Sequence, residues 1–200
     1  MSSDQALKTN TLGDTSVPSN AIKRVSHQTV IEEGLAEDDV TKIAMGLVLA
    51  ESRQRKDSKL LAATLAKCIP YGSLNALRYL IKEEKTSLTR VFPGLVSQCS
   101  AAKVVDVLQI LVDNGWDINQ HDEVPGGGIG KDILHHICNN EDVIRWCLNH
   151  GAIVEDTSID PYYNPPLLEC VARHGTVSIF KLLQSQGVRV CLKISNSQNH

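Results

Sequence analysis

The sequence predicts an all-α fold, a solenoid of stacked helix–turn–helix units joined by short hairpin loops. Gly115, Gly151 and Gly187 recur 36 residues apart. Each closes the same kind of phrase, LQILVDNGWDIN (108–119), VIRWCLNHGAIV (143–154) and FKLLQSQGVRV (180–190): an apolar helical face, two or three polar residues, a glycine, then a short extended run. A repeat at this period means units that bury their apolar faces only against neighbours. The chain is also 42% hydrophobic but 4% aromatic, which suits thin helix-on-helix layers of Leu, Val, Ile and Ala rather than a β-sandwich core.

The elements follow in order along 200 residues, enough for one well-buried domain. Residues 1–36 are rich in Ser, Thr, Asp, Asn and Lys without sustained periodicity, and predict a disordered N-terminal arm. Residues 37–57 predict a capping helix, because Val40, Ile43, Ala44, Leu47, Val48 and Leu49 fall largely on one face. Acidic residues open that helix and Arg53, Arg55 and Lys56 close it, in keeping with the helix dipole. Residues 58–194 divide into about four helix pairs. KLLAATLAKCI (59–69) breaks at Pro70-Tyr71-Gly72 before SLNALRYLIKEE (73–84), which lacks a closing glycine. VSQCSAA (96–102) leads into VVDVLQILVDNG (104–115), DILHHIC (132–138) into EDVIRWCLNHG (141–151), and LLECVA (167–172) into TVSIFKLLQSQG (176–187). The second helix of each pair is the more apolar and is expected between neighbours. After Gly187 the run VRVCLKI is apolar, so it is expected either to fold back over the last pair or to require a partner; 195–200 is a polar tail.

These units resemble ankyrin repeats, whose pattern is a TPLH-type first helix, a Gly turn, a second helix ending Leu-Leu-x-x-Gly, and an Ala-Asp-Val-Asn hairpin. CVARHGTVSIFKLLQSQG follows it through both helices, GWDINQHD (115–122) is similar to the hairpin, and Asp132-Ile133-Leu134-His135 stands at the TPLH position. The similarity spans residues 58–190 and departs at Glu169, which replaces the usual His, at a short third interhelix turn, and at the long connections 119–131 and 155–165. ILHH with IRWCLNHGA is similar to divergent arrays common in filamentous fungi. The resemblance implies a non-catalytic protein–protein interaction module, a scaffold or adaptor that binds through the concave face of its first helices and its hairpin fingertips. Carried onto this chain, that surface comprises Asn119, Gln120, His121, Asp122 and Glu123 in one finger, Glu155, Asp156, Asp160 and Tyr162 in the next, and His136 and Arg173 on helices. The fingertips are acidic, so a partner with a basic segment is expected.

Other chemistry is less well served. PGGGIGKD (125–132) is similar to a phosphate-binding loop but has Pro125 for the first glycine and Asp132 for the magnesium-binding hydroxyl, so it reads as an extended finger with Asp132 capping the next helix. His135, His136, Cys138, Cys147 and His150 lie around one short turn, and a divergent metal protein or enzyme using them is one alternative. Family spacing instead gives His135 an internal hydrogen bond and turns Cys147 into the stack. No Ser or Cys stands beside a base, so neither a catalytic residue nor a cofactor is expected. Trp116 is expected to cover a seam between units. A second alternative keeps the fold and makes the chain an accessory or regulatory protein of a fungal metabolic pathway.

A net charge of −3 gives no overall attraction to nucleic acid or anionic lipid, so neither is expected as a partner. Six scattered cysteines with no apolar leader and no 18-residue apolar run lead to the expectation of an intracellular, cytoplasmic or nuclear protein with reduced thiols.

Overall fold

Caps and turns set the helix boundaries in the computed structural model, which describes residues 26–125, 129–154 and 165–188. The described chain forms α1 (His27–Glu37), α2 (Val40–Ser52), α3 (Ser58–Tyr71), α4 (Leu74–Lys82), α5 (Pro93–Val96), α6 (Val104–Asp113), α7 (Ile133–His136), α8 (Glu141–Asn149), α9 (Leu167–His174) and α10 (Val177–Ser185). Ser26, Asp39, Asp57, Asp132, Asn140 and Thr176 each turn a side-chain oxygen onto an N–H of the first turn that follows, satisfying donors that have no partner inside the helix. The single β-type pairing among the described residues is between Glu123 and Ile129. No helix among them is long and apolar enough to cross a membrane.

Contacts arrange these helices in two rows. The first helices α1, α3, α5, α7 and α9 touch in that order, and the second helices α2, α4, α6, α8 and α10 do the same beside them. The apolar side chains account for this order. Leu77 and Leu80 of α4, Val107, Leu108 and Leu111 of α6, Val143, Ile144 and Cys147 of α8, and Ile179 and Leu183 of α10 are all buried. One apolar cluster runs from Ile31 to Val188. The first row contributes Leu65, Ile69, Val96, Ile133, Leu134 and Leu167 to the same cluster, so both rows share one core. The five described cysteines, Cys68, Cys99, Cys138, Cys147 and Cys170, are unpaired and buried among these side chains.

Three boundaries differ from the sequence reading. Residues 27–36 are not part of a disordered arm; they form most of α1, whose Ile31 and Leu35 are buried. The 37–57 segment is accordingly the second member of an extra helix pair rather than a lone cap. Gly34 and Gly46 make that pair possible: a Cβ on Gly34 would lie 2.8 Å from Ile43 Cγ1, and one on Gly46 would lie 2.5 Å from Ile31 Cγ1. Two missing side chains let α1 and α2 approach closely enough for few apolar residues to suffice. The third difference is α5, a single turn that starts at Pro93 rather than at Val96. Proline at the first helical position has its φ already set and no N–H to leave unpaired, so the helix begins there.

Gly46→Ala is expected to lower stability by about 1–3 kcal/mol through overpacking against Ile31, although alanine is the better helix former. Urea denaturation followed by circular dichroism measures it.

Candidate partner-binding surface

The hairpins that link the pairs are fastened by polar side chains. In the finger after α6, Asp122 N–H donates to Lys131 O at 2.9 Å, and His121 Nδ1–H reaches Gly130 O at 3.1 Å. Asn119 ties this finger to the next one: Nδ2 donates to Gly151 O at 3.1 Å and Oδ1 accepts from Ile153 N at 2.8 Å. Asp122 reaches across to both neighbouring first-row helices. Its Oδ1 accepts from Gly94 N at 2.8 Å and its Oδ2 meets His136 Nε2 at 2.5 Å. Trp116 lies beneath the same finger, 4% exposed, with Nε1 donating to Val91 O at 2.7 Å. It covers a seam between units, as expected.

Asp132 and His135 form the deepest polar link. Asp132 Oδ1 accepts both His135 N, at 3.0 Å, and His135 Nδ1–H, at 2.8 Å. The other ring nitrogen, Nε2, donates to Pro165 O at 2.8 Å, so the ring joins α7 to the entry of α9. With an oxygen acceptor at each nitrogen, both bonds are made when both nitrogens carry hydrogen and Asp132 is ionised. Burial works to raise the Asp132 pKa, but the His135 hydrogen bond and charge outweigh it and hold that pKa below the ordinary 3.8.

The residues expected to bind a partner divide accordingly. Asp122 and His136 bond each other, Asn119 bonds the next finger and His121 bonds Gly130 O, so all four are engaged in holding finger and helices. Glu123 and Arg173 are exposed, with Arg173 69% exposed at its side chain and paired with Glu169 at 2.6 Å. Gln120 lines a cleft of ≈ 580 Å³ between this finger and the loop after α4, together with Thr86, Leu88 and Trp116. Glu155, Asp156, Asp160 and Tyr162 lie outside the described residues.

Two further clefts open on the first-row side. One, ≈ 360 Å³, lies between the start of α3 and residues 85–90; Lys59, Lys85 and Arg90 line it. The other, ≈ 330 Å³, lies between α7 and α9 and is edged by Lys131, Arg173 and His174. Sequence reasoning named Arg173 but missed the other cations, because each cleft joins segments distant along the chain. The one available signal was the absence of a closing glycine after α4, where Lys85 stands.

The side chains of the metal alternative are engaged elsewhere. Both nitrogens of His135 are engaged, and His150 Nδ1–H bonds Trp146 O at 2.7 Å while its ring stacks on Trp146 with centroids 3.8 Å apart. No group of three or more His, Cys, Asp or Glu side chains among the described residues could hold a metal ion. Burial also disfavours the thiolate form at the described cysteines. Burial pushes the Cys147 thiol up to about 12 and also raises Cys68, Cys99, Cys138 and Cys170.

No family model, curated protein or solved structure matches the chain.

Replacing Asp132 with Ala removes a helix cap and leaves His135 half-satisfied, a loss expected at roughly 2–4 kcal/mol in urea denaturation. The same carboxylate carries a pH dependence. Its folded pKa lies below its unfolded one, so its contribution is complete above the unfolded value and fades as pH falls through the folded one. Asp132→Asn is therefore expected to lose less stability than wild type on acidification below the ordinary carboxylate range; chemical denaturation at neutral and acid pH checks it.

Proposed function

We propose that the chain is a divergent ankyrin-type solenoid that acts as a non-catalytic protein-interaction module, a scaffold or adaptor whose partner lies along the first-row helices and the fingers beside them. The alternation of two helix rows supports the solenoid reading, as do the three closing glycines. Gly115, Gly151 and Gly187 all adopt φ near +90° with open space where a Cβ would stand, so they serve the same turn in three successive pairs.

The observation that carries the binding role is the set of clefts that open beside the fingers and between first-row helices, on a surface held from behind by a buried second row. A partner meeting this side finds side chains whose backbone is already fixed by helices and by the Asn119, Asp122 and His135 links. Binding there costs little ordering entropy. The second row buries Leu77, Leu80, Leu108, Leu111, Ile144 and Leu183 behind this face, and the cleft between α4 and α6 is smaller, ≈ 200 Å³.

The charge on this face is mixed rather than uniformly acidic.

 Of the acids expected to select a basic segment, Asp122 is held by Gly94 and His136, whereas Glu123 stays exposed at the fingertip. Lysines and arginines stand in the clefts behind it. The reading therefore assigns acidic contacts to the finger ends and basic contacts to the exposed cleft edges, a pattern that orients a partner as well as attracting it.

Photo-crosslinking from single positions in the native cell tests the proposal. Crosslinkers placed at Glu123 and Arg173 are expected to capture the same partner, whereas crosslinkers at Asp106 of α6 and Lys181 of α10 capture none. Capture from the second row and not the first would overturn it.

A further inference from the structure

The loop after α4 lacks the closing glycine of the three pairs that follow it, as does the end of α2, where Gln54 has φ +55° and Arg55 N returns to Ala50 O at 2.8 Å. At the ends of α6, α8 and α10, a left-handed glycine is followed by an N–H that turns back onto the helix: Trp116 N to Leu111 O, Ala152 N to Cys147 O, and Val188 N to Leu183 O. At the end of α4 the left-handed residue is Lys85, with φ +53°, and Thr86 N returns to Leu80 O at 3.0 Å. A lysine in that region is less favourable than a glycine. Lys85 therefore stands where the three later pairs place no side chain.

The surroundings of Lys85 give a chemical reason. Lys59, Lys85 and Arg90 line the ≈ 360 Å³ cleft at the start of α3, together with the hydroxyl-bearing Ser58, Thr86, Ser87 and Thr89, and no carboxylate lines it. None of the three cations forms an ion pair among the described residues. Nearby Glu84 is already taken by Lys56, at 3.1 Å, and by Tyr79 Oη–H, at 2.9 Å. Asp57 is turned into the helix as a cap, accepting Leu60 N at 2.8 Å. Thr86 is 9% exposed, and its Oγ1 has no hydrogen-bond partner. Three unneutralised cations and several hydroxyl donors together suit an anion of high charge density.

We propose that this cleft binds a phosphate monoester carried by a side chain of the bound protein, with Lys59, Lys85 and Arg90 neutralising the dianion. A phosphate offers about two negative charges and several acceptor oxygens, so it meets three cations and the hydroxyls better than one carboxylate does. The inference rests on the reading of the first-row side as a protein-binding surface. It deepens that reading by giving the groove a preference for a phosphorylated segment.

The test uses the full chain and small probes, so it does not depend on knowing the partner. Inorganic phosphate, capped O-phosphoserine and capped aspartate are titrated at constant ionic strength while backbone amide shifts are followed by NMR. Both phosphates are expected to give saturable shifts concentrated in 58–62 and 85–90, with the aspartate weaker by about tenfold or more. Lys59→Gln/Arg90→Gln is expected to weaken phosphoserine by at least about tenfold. Lys85→Gly is the more discriminating variant: it is expected to weaken binding while the melting temperature stays level or rises, because glycine suits the left-handed position. Shifts centred on Lys131 and Arg173, equal affinity for aspartate, or unchanged binding by the double variant would each overturn the proposal. Binding of inorganic phosphate without phosphoserine would overturn the assignment to a partner's side chain. Failure of this titration alone leaves the crosslinking prediction standing, and failure of crosslinking alone leaves an anion site without a protein partner.

Discussion

The structure depends on a shortage: no helix pair has enough of its own surface to cover its own apolar face. Leu108 and Leu111 in α6 are fully buried although α6 is a helix of 10 residues. Their cover comes from α4 on one side and α8 on the other. The same holds for Ile144 and Cys147 between α6 and α10. Burying one such side chain is worth about 1.5–3 kcal/mol, so a pair separated from its neighbours loses most of what holds it. The rows exist because the pairs cannot stand apart.

Polar side chains then decide how the connections lie over this apolar row. Asp122 touches α5 and α7 together, Asn119 joins two successive fingers, and His135 spans from Asp132 to Pro165. These groups are charged or strongly hydrogen-bonding, and each would be costly to bury alone. Because they are satisfied by the neighbouring unit rather than their own, they lock the register of the stack. The same economy explains why Asn119, Asp122 and His136 make hydrogen bonds within the fold: a polar group at a seam has acceptors and donors close by and uses them.

Much of the second row was legible in the sequence, because its periodicity is strong and three glycines repeat in register. Asp132 as a cap and Trp116 over a seam were legible too, each from its position beside a helix start or a closing glycine. The first row was harder. α5 and α7 are single turns, too short for any periodicity, and α1 hides behind two glycines that lower its apolar content while permitting close packing. Asp122 and His136 were named from their fingertip and helix positions, but their mutual hydrogen bond spans 14 residues and leaves no local pattern. The cationic cleft was invisible for the same reason, since Lys59 and Arg90 meet only when α3 and the loop after α4 come together.

The dependence of each unit on its neighbours is tested most directly by native-state hydrogen exchange on Leu108→Ala. The cavity costs about 2–5 kcal/mol. If neighbours supply the cover, protection must fall in α4 and α8 as well as in α6. Loss confined to α6, with α4 and α8 exchanging as in wild type, would contradict the account.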